Sequence, residues 1–262
     1  MPPILLDDAV ADRVHALGLD ILEELALAAA KLQPGALGLR LGTGYALFAG
    51  EGSPITQLYG YAHRVPGDVA EVAAFYANRC ASYEVSITPY TDPGTVRALL
   101  DAGFRPGPFE GELAQWVGDV PEPELRVDEV DGHDTAWLET TMRAWTDDAA
   151  SPPPDDAPIA IDPLVHIICA TPTRKYVAFV DGRPVATSIM WDRRDGVVLA
   201  SGASRASARN RGLQLAMLHK RLRDAGRGRF AIVGAMPGTT SYRNVMRAGF
   251  TPLYSTLGFK PS

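Results

Sequence analysis

The feature that most constrains the fold is an alternation of strands and helices in the second half of the chain. The strand-like run Gly196–Gly202 is followed by a loop and by an amphipathic helix in which Leu215, Leu218 and Leu222 share one face. The apolar run Phe230–Gly234 predicts the next strand, which is buried, and a second helix follows it. Strands joined through a helix pair in parallel with a crossover, so this half is predicted to be an α/β structure.

The loop before the first of these helices has the residues of an anion-binding site. The first backbone N–H groups of a helix have no partner within the helix, and the helix dipole places positive charge at that end. Gly212 lets the backbone approach a bulky ligand closely, and Arg209 and Arg211 can add charge-assisted hydrogen bonds to phosphate. The sequence therefore predicts a diphosphate site at the start of this helix.

This arrangement resembles the coenzyme A signature of the GNAT superfamily of N-acetyltransferases. That signature is Arg or Gln, two residues, Gly, one residue, then Gly or Ala. Arg209 and Gly212 match its first and fourth positions, whereas Gln214 departs from the sixth. The longer side chain of Gln214 either crowds the diphosphate or points away from it. The stretch Met236–Ser255, a strand end, loop, short helix and Gly-Phe, resembles the second conserved region of the superfamily.

The resemblance implies acetyl-CoA as the donor and direct attack by an amine on the thioester. It also implies that backbone amides at the end of the strand face the pantetheine arm and the thioester. It assigns cofactor binding to Gly202, Ala203, Ser204, Arg209, Asn210, Arg211, Gly212, Leu213, Gln214, Ser241 and Asn244. Ser241 has an alternative role as an ordinary helix N-cap.

The proton-transfer groups are less well defined by the sequence. Many members of the superfamily carry a tyrosine acid four residues before the glycine of the Gly-Phe pair, where this chain has Val245. Tyr242, one turn earlier, is the candidate acid, or else it packs or caps the helix start. Amine deprotonation runs through water, Asp192 or His166, and no metal is expected to take part. Two tryptophans are expected in the core rather than around an acceptor, namely Trp145 and Trp191.

An internal echo predicts that the chain contains two related halves. The segments Arg97–Pro106 and Arg243–Pro252 share a helix end with arginine, Ala-Gly-Phe and proline in register. A helix and a strand precede the second helix in both halves, as expected for a duplicated unit. The expected fold is therefore two GNAT-like halves with mixed sheets, each with a strand-helix-strand-helix crossover.

The N-terminal half is predicted to have lost its anion site. Pro66 removes one backbone donor from the equivalent loop, and Asp68 places negative charge where phosphate would lie. The proline-rich, acidic stretch that follows this half is typical of a linker. We therefore expect a degenerate domain over 1–118, a linker over 119–125 and a cofactor-binding domain over 126–262.

Composition limits the partners. A net charge of −6 disfavours nucleic acid, and the chain has no apolar run long enough to span a membrane. Its two cysteines are too few for a disulfide framework. The expected location is the cytoplasm, and a homodimer is possible. Acidic residues in the polar segment after Trp145 either favour a cationic acceptor or form a solvated loop: Asp147, Asp148, Asp155, Asp156 and Asp162.

These observations predict an acetyl-CoA-dependent N-acetyltransferase whose acceptor is a small-molecule amine or, alternatively, a protein amine. Two other interpretations stay open. One is a non-catalytic acyl-CoA-binding or regulatory module, favoured by the missing tyrosine. The other is a transferase for longer acyl groups.

Overall fold

The computed structural model describes residues 4, 6–80, 82–131, 134–155 and 157–262. Contacts between residues divide the chain into two compact units. The N-terminal unit contains the described residues from 6 to 112 together with 253–262, and the C-terminal unit contains residue 4 and the described residues from 113 to 252. This division differs from the expected domain boundaries at both ends. Residues 253–262 belong to the N-terminal unit because Leu257 pairs with Ile87 in its sheet, a long-range pairing that no local sequence pattern reveals.

The elements follow one another as strands and helices of ordinary length. In chain order they are α1 Asp8–Leu32, β1 Leu37–Leu41, β2 Gly44–Phe48, β3 Gln57–Tyr59, α2 Val69–Tyr76, β4 Glu84–Ile87, α3 Pro93–Asp101, β5 Arg105–Trp116, β6 Val127–Val130, α4 Thr135–Thr146, α5 Pro163–Ala170, β7 Arg174–Val180, β8 Arg183–Arg193, β9 Gly196–Ser204, α6 Leu213–Ala225, β10 Phe230–Ala235, α7 Thr240–Arg247 and β11 Thr251–Lys260.

The N-terminal unit is an α/β structure with strand order β1-β2-β3-β4-β11-β5, to which β5 and β11 contribute the residues that lie within the unit. β1, β2 and β3 are antiparallel neighbours, and β3 and β4 are parallel. α2 connects β3 to β4, as expected for a crossover. Leu58, Val85 and Leu99 pack in its core with Val72 and Tyr76 of α2. The predicted mixed sheet of this half is confirmed.

Two local features of this unit concern single residues. α1 continues without a break through Gly18. A Cβ at this position would lie 2.3 Å from the ring of Tyr59, so only glycine leaves room for that side chain. The loop before α2 carries Asp68 as the N-cap, and its side chain accepts a hydrogen bond from the backbone N of Ala70 at 2.8 Å. A carboxylate therefore occupies one of the amides that a phosphate would use at this helix start.

The C-terminal unit has the strand order β5-β10-β9-β8-β7-β6, with β5 contributing residues 113–116. β6 to β9 are antiparallel neighbours, and β9 and β10 are parallel and joined through α6. The apolar face of α6, which includes Leu213, Met217 and Leu222, packs on Met190 and Leu199 of the sheet. The predicted crossover of this half is confirmed.

The internal echo corresponds to two helix ends with the same geometry. Gly103 after α3 and Gly249 after α7 have φ of 89° and 95°, a region that favours glycine. The following residue, Phe104 or Phe250, donates its backbone N–H to a carbonyl in the last turn of the helix. Both phenylalanines are buried, so each motif ends a helix and anchors the next strand.

The polar segment after α4 has no helix or strand between Thr146 and Pro163 at the residues that the structure describes. No helix among the described residues has both the length and the apolar character of a membrane span.

Candidate functional site

A cavity of about 800 Å³ opens at the N-terminus of α6 within the C-terminal unit. Its walls are the end of β9, the loop and first turn of α6, one face of α7 and the end of α4. The lining residues are Ala144, Trp145, Asp148, Gly202, Ala203, Ser204, Arg209, Asn210, Gly212, Leu213, Gln214, Leu215, Thr240, Asn244 and Arg247. The volume lies within the range of about 300–1,000 Å³ that is typical of small-molecule sites.

The start of α6 has backbone donors that no described side chain caps. Gly212 is the N-cap residue and has a left-handed backbone, with φ of 78°. Asn210 also has a positive φ, of 63°, and asparagine tolerates this region better than most residues. A Cβ on Gly212 would meet no heavy atom within 4 Å, so the space above these amides is open. The helix start can therefore bind an anion with its backbone alone.

Most of the predicted cofactor-binding residues lie together in this cavity. Arg211 and Ser241 are not among its lining residues. Arg211 is exposed, and its nearest carboxylate oxygen is on Asp181, at 4.0 Å. The Oγ of Ser241 accepts a hydrogen bond from Nε2 of Gln214 at 2.8 Å.

Gln214, the residue that departs from the signature, connects α6 to α7. Its Nε2 donates to Ser241, and its Oε1 accepts a hydrogen bond from Nδ2 of Asn244 at 2.9 Å. The side chain is thus held against α7. Of the two alternatives that the sequence left open, the structure favours the one in which Gln214 points away from the diphosphate position.

The guanidinium of Arg209 is occupied by a carboxylate. Its Nη1 and Nη2 each lie 2.8 Å from an oxygen of Asp148. This hydrogen bonding lowers the pKa of Asp148 below its usual value. Asp148 also lines the cavity, so an anionic ligand would compete with it for Arg209.

A second arginine, Arg205, organises the polar segment and was missed in the sequence. Its Nε and Nη2 lie 2.9 Å and 2.6 Å from carboxylate oxygens of Asp147 and Asp155. Asp147 also accepts a hydrogen bond from the backbone N of Ala206. Three carboxylates of the acidic segment therefore pair with arginines of the loop before α6, Asp147 and Asp155 with Arg205 and Asp148 with Arg209.

Of the other two acidic residues of that segment, Asp162 is not among the lining residues of the cavity. Asp162 is the N-cap of α5 and accepts a hydrogen bond from the backbone N of Leu164. Asp156 lies outside the described residues.

Searches for relatives by sequence find nothing: no family model matches the chain, and no curated protein matches it. Comparison with solved structures does find relatives by fold. A GCN5-related N-acetyltransferase from Kribbella flavida is 19% identical and has a TM-score of 0.60, with 93% of this chain and 95% of that chain covered. A tandem GNAT protein from the clavulanic acid biosynthesis pathway is 13% identical and has a TM-score of 0.55, covering 97% and 95%.

A third structure, of an acetyltransferase assigned to the GNAT family from Novosphingobium aromaticivorans, is 17% identical with a TM-score of 0.53, covering 91% of this chain and 95% of that chain. The fold is that of the GNAT acetyltransferases. At these identities the likeness establishes the fold alone, and the chemistry has to be inferred from the residues of the cavity.

Within this GNAT fold, Tyr242 does not lie among the cavity-lining residues. Its side chain packs against the core beside the buried Val245. Its backbone N donates to Oγ1 of Thr239, which is the N-cap of α7 in place of Ser241. The face of α7 that holds positions 242 and 245 is therefore the core face. The face toward the cavity carries Thr240, Asn244 and Arg247.

The other two candidates for proton transfer, His166 and Asp192, also lie outside the lining of the cavity. His166 is exposed on α5, and Asp192 accepts a hydrogen bond from Arg229 at 2.7 Å. Trp191 is buried as expected, but Trp145 is 39% exposed and lines the cavity. The expectation that Trp145 belongs to the core is wrong, because it lies in the last turn of α4 and lines the cavity.

Arg247 is the most informative lining residue that the sequence analysis missed. It lies one turn beyond Asn244, and its Nη1 donates to Oδ1 of Asn244 at 3.1 Å. Thr240, Asn244 and Arg247 follow the spacing of one helix face. Because the sequence already predicts Asn244 as a cofactor-binding residue, the same periodicity would have identified Arg247 as a second cation of the site besides Arg209.

Proposed function

We propose that the protein is an acetyl-CoA-dependent N-acetyltransferase of the cytoplasm that acts on a small-molecule amine. The observation that carries the proposal is the uncapped start of α6, with its left-handed Gly212, opening onto a cavity beside the end of β9.

The residues of the cavity fit the parts of acetyl-CoA. The backbone amides at Gly212 and Leu213 would hold the diphosphate, with Arg209 and Arg247 as the nearby cations. Gly202, Ala203 and Ser204 would offer backbone groups to the pantetheine arm, and Asn244 would offer a side-chain amide. Acetyl-CoA would supply an activated acetyl thioester, and the backbone N–H groups of β9 would stabilise negative charge on its oxygen.

The described lining of the cavity holds no evident base or acid. Its described lining contains no histidine, glutamate or tyrosine, and its one carboxylate, Asp148, is paired with Arg209. We therefore propose that the acceptor reaches the site as the free amine and that water carries its proton. The chain's contribution would be to bind and orient both reactants.

The direct test measures cofactor binding and turnover separately. Calorimetry with coenzyme A and acetyl-CoA reports binding, and release of free thiol across a panel of amines and lysine peptides reports transfer. Binding together with turnover on at least one small amine supports the proposal. Absence of acetyl-CoA binding overturns it, and turnover only on lysine peptides would assign a protein acceptor.

The second candidate function is a non-catalytic acyl-CoA-binding module. The same lining favours it, because the described cavity residues provide no acid or base in a position to transfer a proton. Tight cofactor binding without turnover on any amine would establish this alternative. A thermal-shift ranking of acyl-CoA chain lengths would show whether longer acyl groups are preferred.

A further inference from the structure

The parallel pair β9 and β10 separates before it reaches the cavity. Its paired residues are Val197 with Ala231, Val198 with Ile232 and Leu199 with Val233. Beyond Leu199, β9 continues to Ser204 and β10 continues to Ala235 without further paired positions. The last residues of β9, Gly202 to Ser204, are those that line the cavity. The place where β9 separates from β10 therefore determines how the backbone of Gly202 to Ser204 faces the cavity.

A β-bulge lies at the same point on the other edge of β9. Thr187 of β8 pairs with Ala203, and Ile189 pairs with Ala200, so one residue of β8 opposes two of β9. Within the bulge, Ser201 has a φ of 50°, which is uncommon for a residue other than glycine. Bulges redirect a strand and often lie next to functional sites. Such a backbone conformation persists only where its surroundings hold it.

Arg221 supplies the contacts that hold this bulge. It extends from α6, is only 3% exposed, and donates from Nη1 to the carbonyl oxygens of Ile189 at 2.9 Å and Ala200 at 3.4 Å. These carbonyls belong to the pair that flanks the bulge. Its Nε donates to the carbonyl of Met217, one turn earlier on the helix, at 3.1 Å. One side chain thus ties α6 to both strands where β9 bends.

The burial of this cation is costly, which argues that its position matters. Burial lowers the pKa of Arg221 to about 10, so the guanidinium keeps its charge at neutral pH. Among the described residues no carboxylate forms an ion pair with it, and its hydrogen bonds go to backbone carbonyls. An apolar side chain would fill the same space without the cost of burying a charge, but it could not hold two carbonyls.

We propose that Arg221 is a positioning residue that fixes where β9 leaves β10 and so orients the backbone of Gly202 to Ser204 toward the cofactor. The role of Arg221 in fixing the separation of the two strands does not depend on any ligand. Its link to the cofactor rests on the proposed function. The planar guanidinium fork suits the task because its N–H groups have fixed relative directions, unlike those of an ammonium group.

The first experiment needs no cofactor. Hydrogen–deuterium exchange is followed in the full chain and in the variants Arg221→Met and Arg221→Lys. The matched control is Arg223→Met on the same helix, where the arginine is exposed and donates to the carbonyl of Val120. We expect exchange over residues 199–205 to be at least tenfold faster in Arg221→Met, intermediate in Arg221→Lys and unchanged in Arg223→Met, while the β7–β8 hairpin keeps its protection.

The second experiment measures the dissociation constant of acetyl-CoA by calorimetry, with kcat and KM where turnover is found. We expect Arg221→Met to bind at least tenfold more weakly, Arg221→Lys to recover part of that loss and Arg223→Met to bind as the unchanged protein does. Should Arg221→Met fail to fold, Arg221→Lys provides both measurements.

The outcomes separate this inference from the proposed function. If the unchanged protein binds no acetyl-CoA, the proposed function fails while the exchange result still decides the role of Arg221 in the bulge. Wild-type exchange over 199–205 in a folded Arg221 variant overturns the inference. If the unchanged protein binds acetyl-CoA, a wild-type dissociation constant in a folded Arg221 variant also overturns the inference.

Discussion

Substituting Gly212 by alanine tests the anion site with the smallest change in chemistry. The residue has a φ of 78°, so an alanine there is expected to cost about 1–2 kcal/mol of folding free energy. For units of this size such a loss lowers the melting temperature by about 2–8 °C. The new methyl group would meet no protein atom within 4 Å, so it would project into the space that a phosphate would otherwise use.

The expected effect on binding is larger than the effect on folding. Losing one hydrogen bond to a charged group costs about 1.5–3 kcal/mol, so acetyl-CoA should bind about 10- to 100-fold more weakly. Gly228→Ala is the matched control, because Gly228 has a φ of 82°, has no heavy atom within 4 Å of an added Cβ and does not line the cavity.

Both variants are compared by thermal unfolding and by calorimetry with acetyl-CoA. We expect a similar loss of stability in both and weaker binding only in Gly212→Ala. Equal affinities in the two variants would refute the assignment of the diphosphate to the start of α6.

Two further predictions concern carboxylates. Asp148→Asn removes the competitor for Arg209 and should tighten coenzyme A binding by about two- to fivefold. The gain is small because solvent screens this ion pair, in which the Asp148 side chain is 71% exposed and that of Arg209 is 41% exposed; weaker binding in calorimetry would show that Asp148 supports the site. Burial, with a contribution from Glu110, raises the pKa of Glu112 to about 7. The folded state therefore keeps a proton that the unfolded state loses near pH 4.5, and stability falls as the pH rises from there through 7. Glu112→Gln should remove about 1–3 kcal/mol of this dependence, measured by urea unfolding at pH 5 and pH 8; parallel curves for the two proteins would contradict it.

The features predicted from the sequence are those that local chemistry determines. The glycine at 212, the arginine at 209 and the apolar stripe of α6 lie within a few turns of one another, and their spacing alone indicates a strand, an anion site and a helix. The echo around Gly103 and Gly249 is likewise a local motif, because a helix end requires a particular backbone conformation.

The features that the sequence does not reveal depend on contacts between distant residues. Asp148 reaches Arg209 across 61 positions, and Arg221 reaches Ile189 across 32. The bulge at Ser201 depends on the register between β8 and β9, which no single strand specifies. Tyr242 was placed on the correct helix and on the same face as Val245, but only packing shows that this face is the core.

The composition of the cavity leads to a prediction about pH. Because its described lining residues include no histidine, glutamate or tyrosine, the proposed function predicts that the acceptor loses its proton to water before or during binding. For an alkylamine the value of kcat/KM should then rise tenfold per pH unit toward the pKa of the amine itself, about 10. Acceptors of lower pKa should move the inflection down with them, and Tyr242→Phe should leave the profile unchanged. An inflection near neutral pH that is the same for every acceptor would instead reveal a base in the protein. If Tyr242→Phe changed the dependence of kcat/KM on pH at high pH, this tyrosine would act in acetyl transfer despite its position against the core.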